Sequence, residues 1–177
     1  MTKPMRRRSK ENKINVKLFI GLVPAIIATV ILINLLLSIQ RNTDQTYISD
    51  VAEILNQASV LTKDYDSALT KWKNNEIRDD EIIDLTYKNI FDMNQLVSRL
   101  NSTNPPERFK QAHQYTLDSL NYQIESNRNM LQYIMTKDEQ YKESSDELFQ
   151  KAFEYESKAL TEFNRLDPSY NIINVGN

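Results

Sequence analysis

His113 is the only histidine of the chain, and so the first side chain to test for chemistry. A metal or haem role needs companions. Di-iron bundles place a Glu-x-x-His motif on two helices, whereas Lys110 stands three positions before His113. A bis-histidine haem would need two copies of the chain. Met93 or Met130 could supply an axial ligand, but methionine at helical spacing usually fills a core. His113 is therefore expected as a half-buried structural residue, with no cofactor and no metal. Carboxylates are plentiful, in Asp79-Asp80-Glu81, Asp138-Glu139, Asp146-Glu147 and Glu154/Glu156. None has the alternating ligands around a central glycine that a calcium loop requires. Acid–base catalysis needs paired carboxylates facing a pocket, which a narrow helical bundle seldom provides. With no Ser/His/Asp set, phosphate loop or zinc spacing, the chain does not read as an enzyme.

Aromatic side chains are the remaining candidates. Tyr115 and Tyr122 lie one heptad apart, and Phe149 and Phe153 are spaced to share a flank of one helix. Such a run can be half buried by its neighbours, or it can form a groove for a partner. These four, with His113 and the polar Asn127, make up the candidate interface or pocket.

The elements that must position them are helices. Both glycines, Gly21 and Gly176, lie outside residues 40–166, which also hold only two prolines, Pro105 and Pro106. Hairpins and βαβ units depend on glycine at their turns, so a glycine-free stretch of this length favours long helices. The apolar spacing agrees. It runs Ile48, Val51, Leu55, Ala58, Thr62, Tyr65, Leu69, Trp72, with Ile54, Leu61 and Ala68 on one flank. It resumes as Ile83, Tyr87, Ile90, Met93, Val97, Leu100, then Phe109, His113, Leu117, Leu120, Ile124, Leu131, Ile134, and lastly Tyr141, Leu148, Ala152, Tyr155, Ala159, Phe163. Helices are expected over about 43–74, 80–101, 105–136 and 139–166, with Asn104 capping the third and 167–177 a flexible tail. Short connections then give an antiparallel four-helix bundle.

Ahead of the bundle, residues 18–39 carry no charge. At about 1.5 Å per residue they reach roughly 33 Å, enough to cross a hydrocarbon core of about 30 Å. The run is too long for a cleaved signal peptide and no small-residue cleavage pattern follows it, so it reads as an uncleaved transmembrane signal anchor. Basic residues precede it at Lys3, Arg6, Arg7, Arg8, Lys10, Lys13 and Lys17, opposed only by Glu11. The positive-inside rule keeps 1–17 in the cytoplasm and places 40–177 outside the membrane. Within the span Gly21, Ala25 and Thr29 recur every four residues and Asn34 can hydrogen-bond a partner helix, so a homodimer paired through the span is open.

Seven of the 22 basic and one of the 24 acidic residues precede the span, which leaves 15 basic against 23 acidic beyond it. A surplus of about eight negative charges argues against nucleic acid as a partner of this domain. The chain has no cysteine, so packing rather than disulfides must hold the domain together. Composition points to a bacterial source.

A span followed by a helical bundle resembles the extracytoplasmic sensor half of bacterial chemoreceptors and histidine kinases. The stretch NPPERFKQAHQYTLDSL, with Pro105-Pro106 and His113, is similar to a pattern of small uncharacterised bacterial surface helical proteins. The resemblance implies an all-α input domain and covers no transmitter. The expectation is an interaction or docking module in a cell-envelope assembly, with the membrane and another envelope protein as partners. The alternative is a ligand-sensing bundle that regulates a separate membrane protein through its span. A sensor should carry a polar-lined cavity near His113 and Asn127, whereas a docking module should have a filled core and an exposed aromatic patch.

Overall fold

The computed structural model describes the backbone of residues 16–167 and the side chains of residues 35–167. Among the described residues the chain is all helical: α1 (Val16–Lys73), α2 (Asp79–Ser102), α3 (Lys110–Thr136) and α4 (Glu139–Leu166), with one 3-10 turn at Glu107–Phe109. The chain divides into two units, residues 1–42 and residues 43–177. The second unit is the bundle.

Each connection is made without glycine. At the end of α1, Asn75 takes the left-handed conformation (φ 60°) and the Glu76 N–H reaches back to the Lys71 carbonyl at 2.8 Å. That is the bond of a Schellman turn, with asparagine in the usual glycine position. Lys137 is also left-handed after α3 (φ 59°), but there its own N–H donates to the Tyr133 carbonyl, the simpler single-bond cap, and Asp138 then caps α4 by accepting from the Gln140 N–H at 3.0 Å. At the start of α2 the Glu81 carboxylate accepts the Arg78 N–H at 2.9 Å. The α2–α3 connection differs from the expected cap at Asn104. Pro106 is extended (ψ 147°) and Pro105, preceding a proline, is disfavoured in the helical region, so α3 is entered only after the 3-10 turn.

Side-chain pairings fix the topology. Tyr65 and Thr86, and Leu61 and Asn89, meet across α1 and α2 in antiparallel order. Tyr47 with His113, Thr62 with Gln123 and Trp72 with Tyr133 pair α1 with α3 in parallel order. Ser126 with Ser145 and Ser119 with Ala152 pair α3 with α4 in antiparallel order.

The α3–α4 seam is built from small residues. Ala112, Ser119 and Ser126 recur every seven positions on α3, and Ser145, Ala152 and Ala159 do so on α4; all six are buried. The Ser119 hydroxyl donates to the Ala152 carbonyl at 2.9 Å and the Ser126 hydroxyl to the Ser145 carbonyl at 2.8 Å. A short side chain can reach a neighbouring helix's backbone only where the two helices lie close. The seam therefore draws α4 onto α3.

The core is largest at the Tyr47 end. Tyr47, Phe109 and Phe163 stack with ring centroids 5.4 to 6.4 Å apart, above Val51, Ile54, Met93 and Leu100. Asp44, 4% exposed, pairs with Arg108 at 2.7 Å, and the Arg108 guanidinium lies over Phe109. A smaller cluster of Tyr65, Ile82, Met130 and Ile134 fills the other end. There Asp79 accepts the Trp72 indole N–H at 2.7 Å and pairs with Lys137 at 2.9 Å, tying together the ends of three helices.

The α2 face is rotated from its expected position. Ile82, Thr86, Asn89 and Leu96 are buried beside Met93 and Leu100, while Tyr87 and Phe91 are exposed. Two polar side chains take the inside because hydrogen bonds satisfy them there. Thr86 donates to the Ile82 carbonyl at 2.7 Å and lies 3.1 Å from the Tyr65 hydroxyl, whose titration burial pushes up to about 12.

Among the described residues no helix is long and apolar enough to cross a membrane. The expected span falls almost wholly outside the residues whose side chains are described. Gly21, Ala25, Thr29 and Asn34, and the basic Arg6, Arg7, Arg8, Lys10, Lys13 and Lys17, all lie there.

Candidate functional site

The six candidate residues of the bundle fall into three separate places. His113 and Asn127 belong to the interior. His113 is buried with Nδ1 3.1 Å from the Tyr47 hydroxyl, and burial alone holds its pKa below the ordinary value. Asn127 donates to the Asn89 side-chain oxygen at 2.7 Å, and Asn89 donates in turn to the Leu61 carbonyl at 3.0 Å. This chain of amides joins α1, α2 and α3. It has the geometry of a structural network, with each member spent on the next.

Tyr115 and Tyr122 are half buried on one flank of the α3–α4 seam. Both pack on Tyr155 of α4, at centroid distances of 6.0 and 5.3 Å, and Lys158 covers the Tyr155 ring at 4.4 Å. The heptad spacing of the two tyrosines thus serves a shared partner within the bundle.

Phe149 and Phe153 lie on the opposite flank of α4, which faces α1. They are 43% and 68% exposed, and Phe153 is more open than any other large apolar side chain described. They border a cleft of about 350 Å³ between α1 and α4, with α3 as its floor. Ala58, Leu120 and Ala152 are buried at its base, and Ser59, Thr62 and Gln123 add polar groups. The Gln123 amide bridges the floor to Thr62. The cleft follows from the seam: small residues seat α4 against α3, and α4's two phenylalanines are left partly open on the flank toward α1. Tyr87 and Phe91, also exposed, stand on α2 and do not line this cleft.

Lys63, Asp66 and Glu156 are the charged groups at the cleft. Desolvation raises the carboxyl of Asp66, with Lys73 opposing it, and desolvation raises Glu156. None of the three forms an ion pair among the described residues. The arrangement can bind an apolar surface and hold a positive charge beside it. Among the described residues no group of three or more histidine and carboxylate side chains is placed to hold a metal ion.

Helical spacing singles out Phe149 and Phe153, and Glu156 stands among the carboxylate clusters, but nothing in the apolar stripes or charge clusters points to Asp66 or to a cleft beside them. The signal was present in the paired heptads of small residues at 112, 119, 126 and at 145, 152, 159, which fix where α4 sits.

No protein family, curated protein or solved structure matches this chain.

Proposed function

We propose that the protein is a membrane-anchored, extracytoplasmic docking module of a bacterial envelope assembly, and that it docks through the cleft between α1 and α4. The observation that carries the reading is the contrast between a filled interior and the exposed Phe149 and Phe153 beside an open cleft. Contiguous exposed apolar surface next to a groove is the usual mark of an interaction site.

The anchor rests on the uncharged run at 18–39 and the basic residues before it. Leu35, Leu36, Leu37 and Ile39, at the end of that run, are each 55–57% exposed. At helical spacing these positions cover more than half of the helix circumference, as suits a helix that meets lipid rather than a single protein face. A small-residue stripe at Gly21, Ala25 and Thr29, with Asn34, leaves room for the span to pair with a second copy.

Sensing is the weaker reading. The two polar residues a sensor would use, His113 and Asn127, are committed to Tyr47 and Asn89.

Two experiments test the proposal. The chain lacks cysteine, so single cysteines report without background. Lys151→Cys should react with a membrane-impermeant maleimide in intact cells, and Ser9→Cys only after permeabilisation; the reverse pattern would invert the topology. For docking, the tagged full chain should co-purify a specific envelope protein from native membranes. Phe149→Ser/Phe153→Ser should lose that protein while unfolding at the parent's midpoint. Retention of the same partner by the double variant would exclude this surface.

A further inference from the structure

The cleft has a shape and a charge that narrow what it can take. It follows α1 from Leu55 to Asp66, about 17 Å or three helical turns at 1.5 Å per residue. Its walls are two helices and its floor a third, so an added helix would meet the ridges it needs for packing. Its volume of about 350 Å³ suits the side chains of one helix face. The upper wall is aromatic, the base aliphatic, and the ends carry Asp66 and Glu156. Lys63 stands between them on the rim, so the lining is net acidic by one charge, within a domain that carries a surplus of about eight negative charges.

Two exposed carboxylates beside apolar surface, neither in an ion pair and only Asp66 under the more distant pull of Lys73, are the complement of lysine or arginine on an apolar helix. Such an acidic domain also draws a cationic partner toward it over a distance set by salt. The raised carboxyls of Asp66 and Glu156 fit this picture, because both would return toward ordinary values once a cation entered.

We infer that the α1–α4 cleft receives one amphipathic helix of about three turns from a partner protein, its apolar residues against Phe149, Phe153 and Leu120 and a lysine or arginine at each end, one beside Asp66 and one beside Glu156. The inference rests on the docking reading and adds the chemistry of the docked segment.

The test uses the full chain in zwitterionic nanodiscs, with empty nanodiscs subtracted. Two fluorescent peptides of about 11 residues, or three turns, are titrated by anisotropy. One has a leucine stripe flanked by lysine, and its counterpart carries glutamate in place of lysine. The lysine peptide should bind at least about tenfold more tightly than the glutamate peptide. Asp66→Asn/Glu156→Gln should erase that preference. Ser59→Trp, which fills the cleft from an exposed position, should abolish binding of the lysine peptide without moving the unfolding midpoint.

Equal binding of both peptides, or binding that survives Ser59→Trp, would overturn the inference. So would a chain already dimeric whose Ser59→Trp variant becomes monomeric, since a second copy would then be the occupant. If neither peptide binds yet Phe149→Ser/Phe153→Ser still loses its co-purified protein, the helix assignment falls and docking stands. If neither peptide binds and nothing is lost, both fall.

Discussion

The interior around Asn127 and the cleft beside Phe153 belong to one bundle and treat their side chains in opposite ways. Inside, polar groups are spent: Asn127, Asn89 and the Leu61 carbonyl form one chain, and His113 meets Tyr47. At the cleft, apolar groups are left over: Phe149 and Phe153 are open, and Asp66 and Glu156 pair with no described cation. Burying an unpaired polar group costs free energy, and so does exposing a large ring to water. Among the described residues the fold has met the first cost at all but the Asp44 Oδ1, and it leaves the second standing at the cleft as well as at Tyr87 and Phe91 of α2. At the cleft the open rings stand beside a groove that a partner can fill.

The difference can be broken from either side. Phe163→Ala should have the largest effect, because the ring is fully buried against Tyr47 and Phe109; the loss should be about 3–5 kcal/mol in denaturant unfolding. Asn127→Ala should cost about 1–3 kcal/mol by stranding the Asn89 oxygen inside. Ala152→Leu should cost a similar amount, about 1–3 kcal/mol, by forcing bulk between α3 and α4. Phe153→Ser should lie within about 0.5 kcal/mol of the parent, since the ring supports no core.

Titration sharpens the same contrast. Burial lowers the pKa of His113 in the folded chain below its ordinary 6.5, so the unfolded chain takes up the proton more readily. Stability should then be complete above about pH 6.5 and fall as pH drops through that value toward the folded pKa. Urea midpoints between about pH 7.5 and 5.5 should fall for the parent and stay level for His113→Phe. An equal slope in both would place the titrating group elsewhere.

Much of this architecture was legible in the sequence. Absence of glycine, apolar spacing and the Pro105-Pro106 break outline the four helices, and the α3 stripe from His113 to Ile134 is buried as its spacing implies. The α2 face was not legible, because apolar spacing ranks Ile83 and Tyr87 above Thr86 and Asn89. Only the positions of Tyr65, Leu61 and Asn127 give Thr86 and Asn89 partners inside. Tyr115 and Phe153 are alike as aromatics off the main stripe, yet Tyr155 packs on the first while the second is 68% exposed among the described residues. That distinction depends on which flank of α4 faces α1. It is set by serine and alanine residues, which a search for apolar stripes passes over.

The most direct measurement is photo-crosslinking in living cells from two adjacent positions of α4, Phe153 at the cleft and Glu154 beside it. The account expects one discrete adduct from position 153, identified by mass spectrometry as an envelope protein joined through a basic amphipathic helix, and none from position 154. Equal adducts from both positions, or none from position 153, would contradict docking through the cleft.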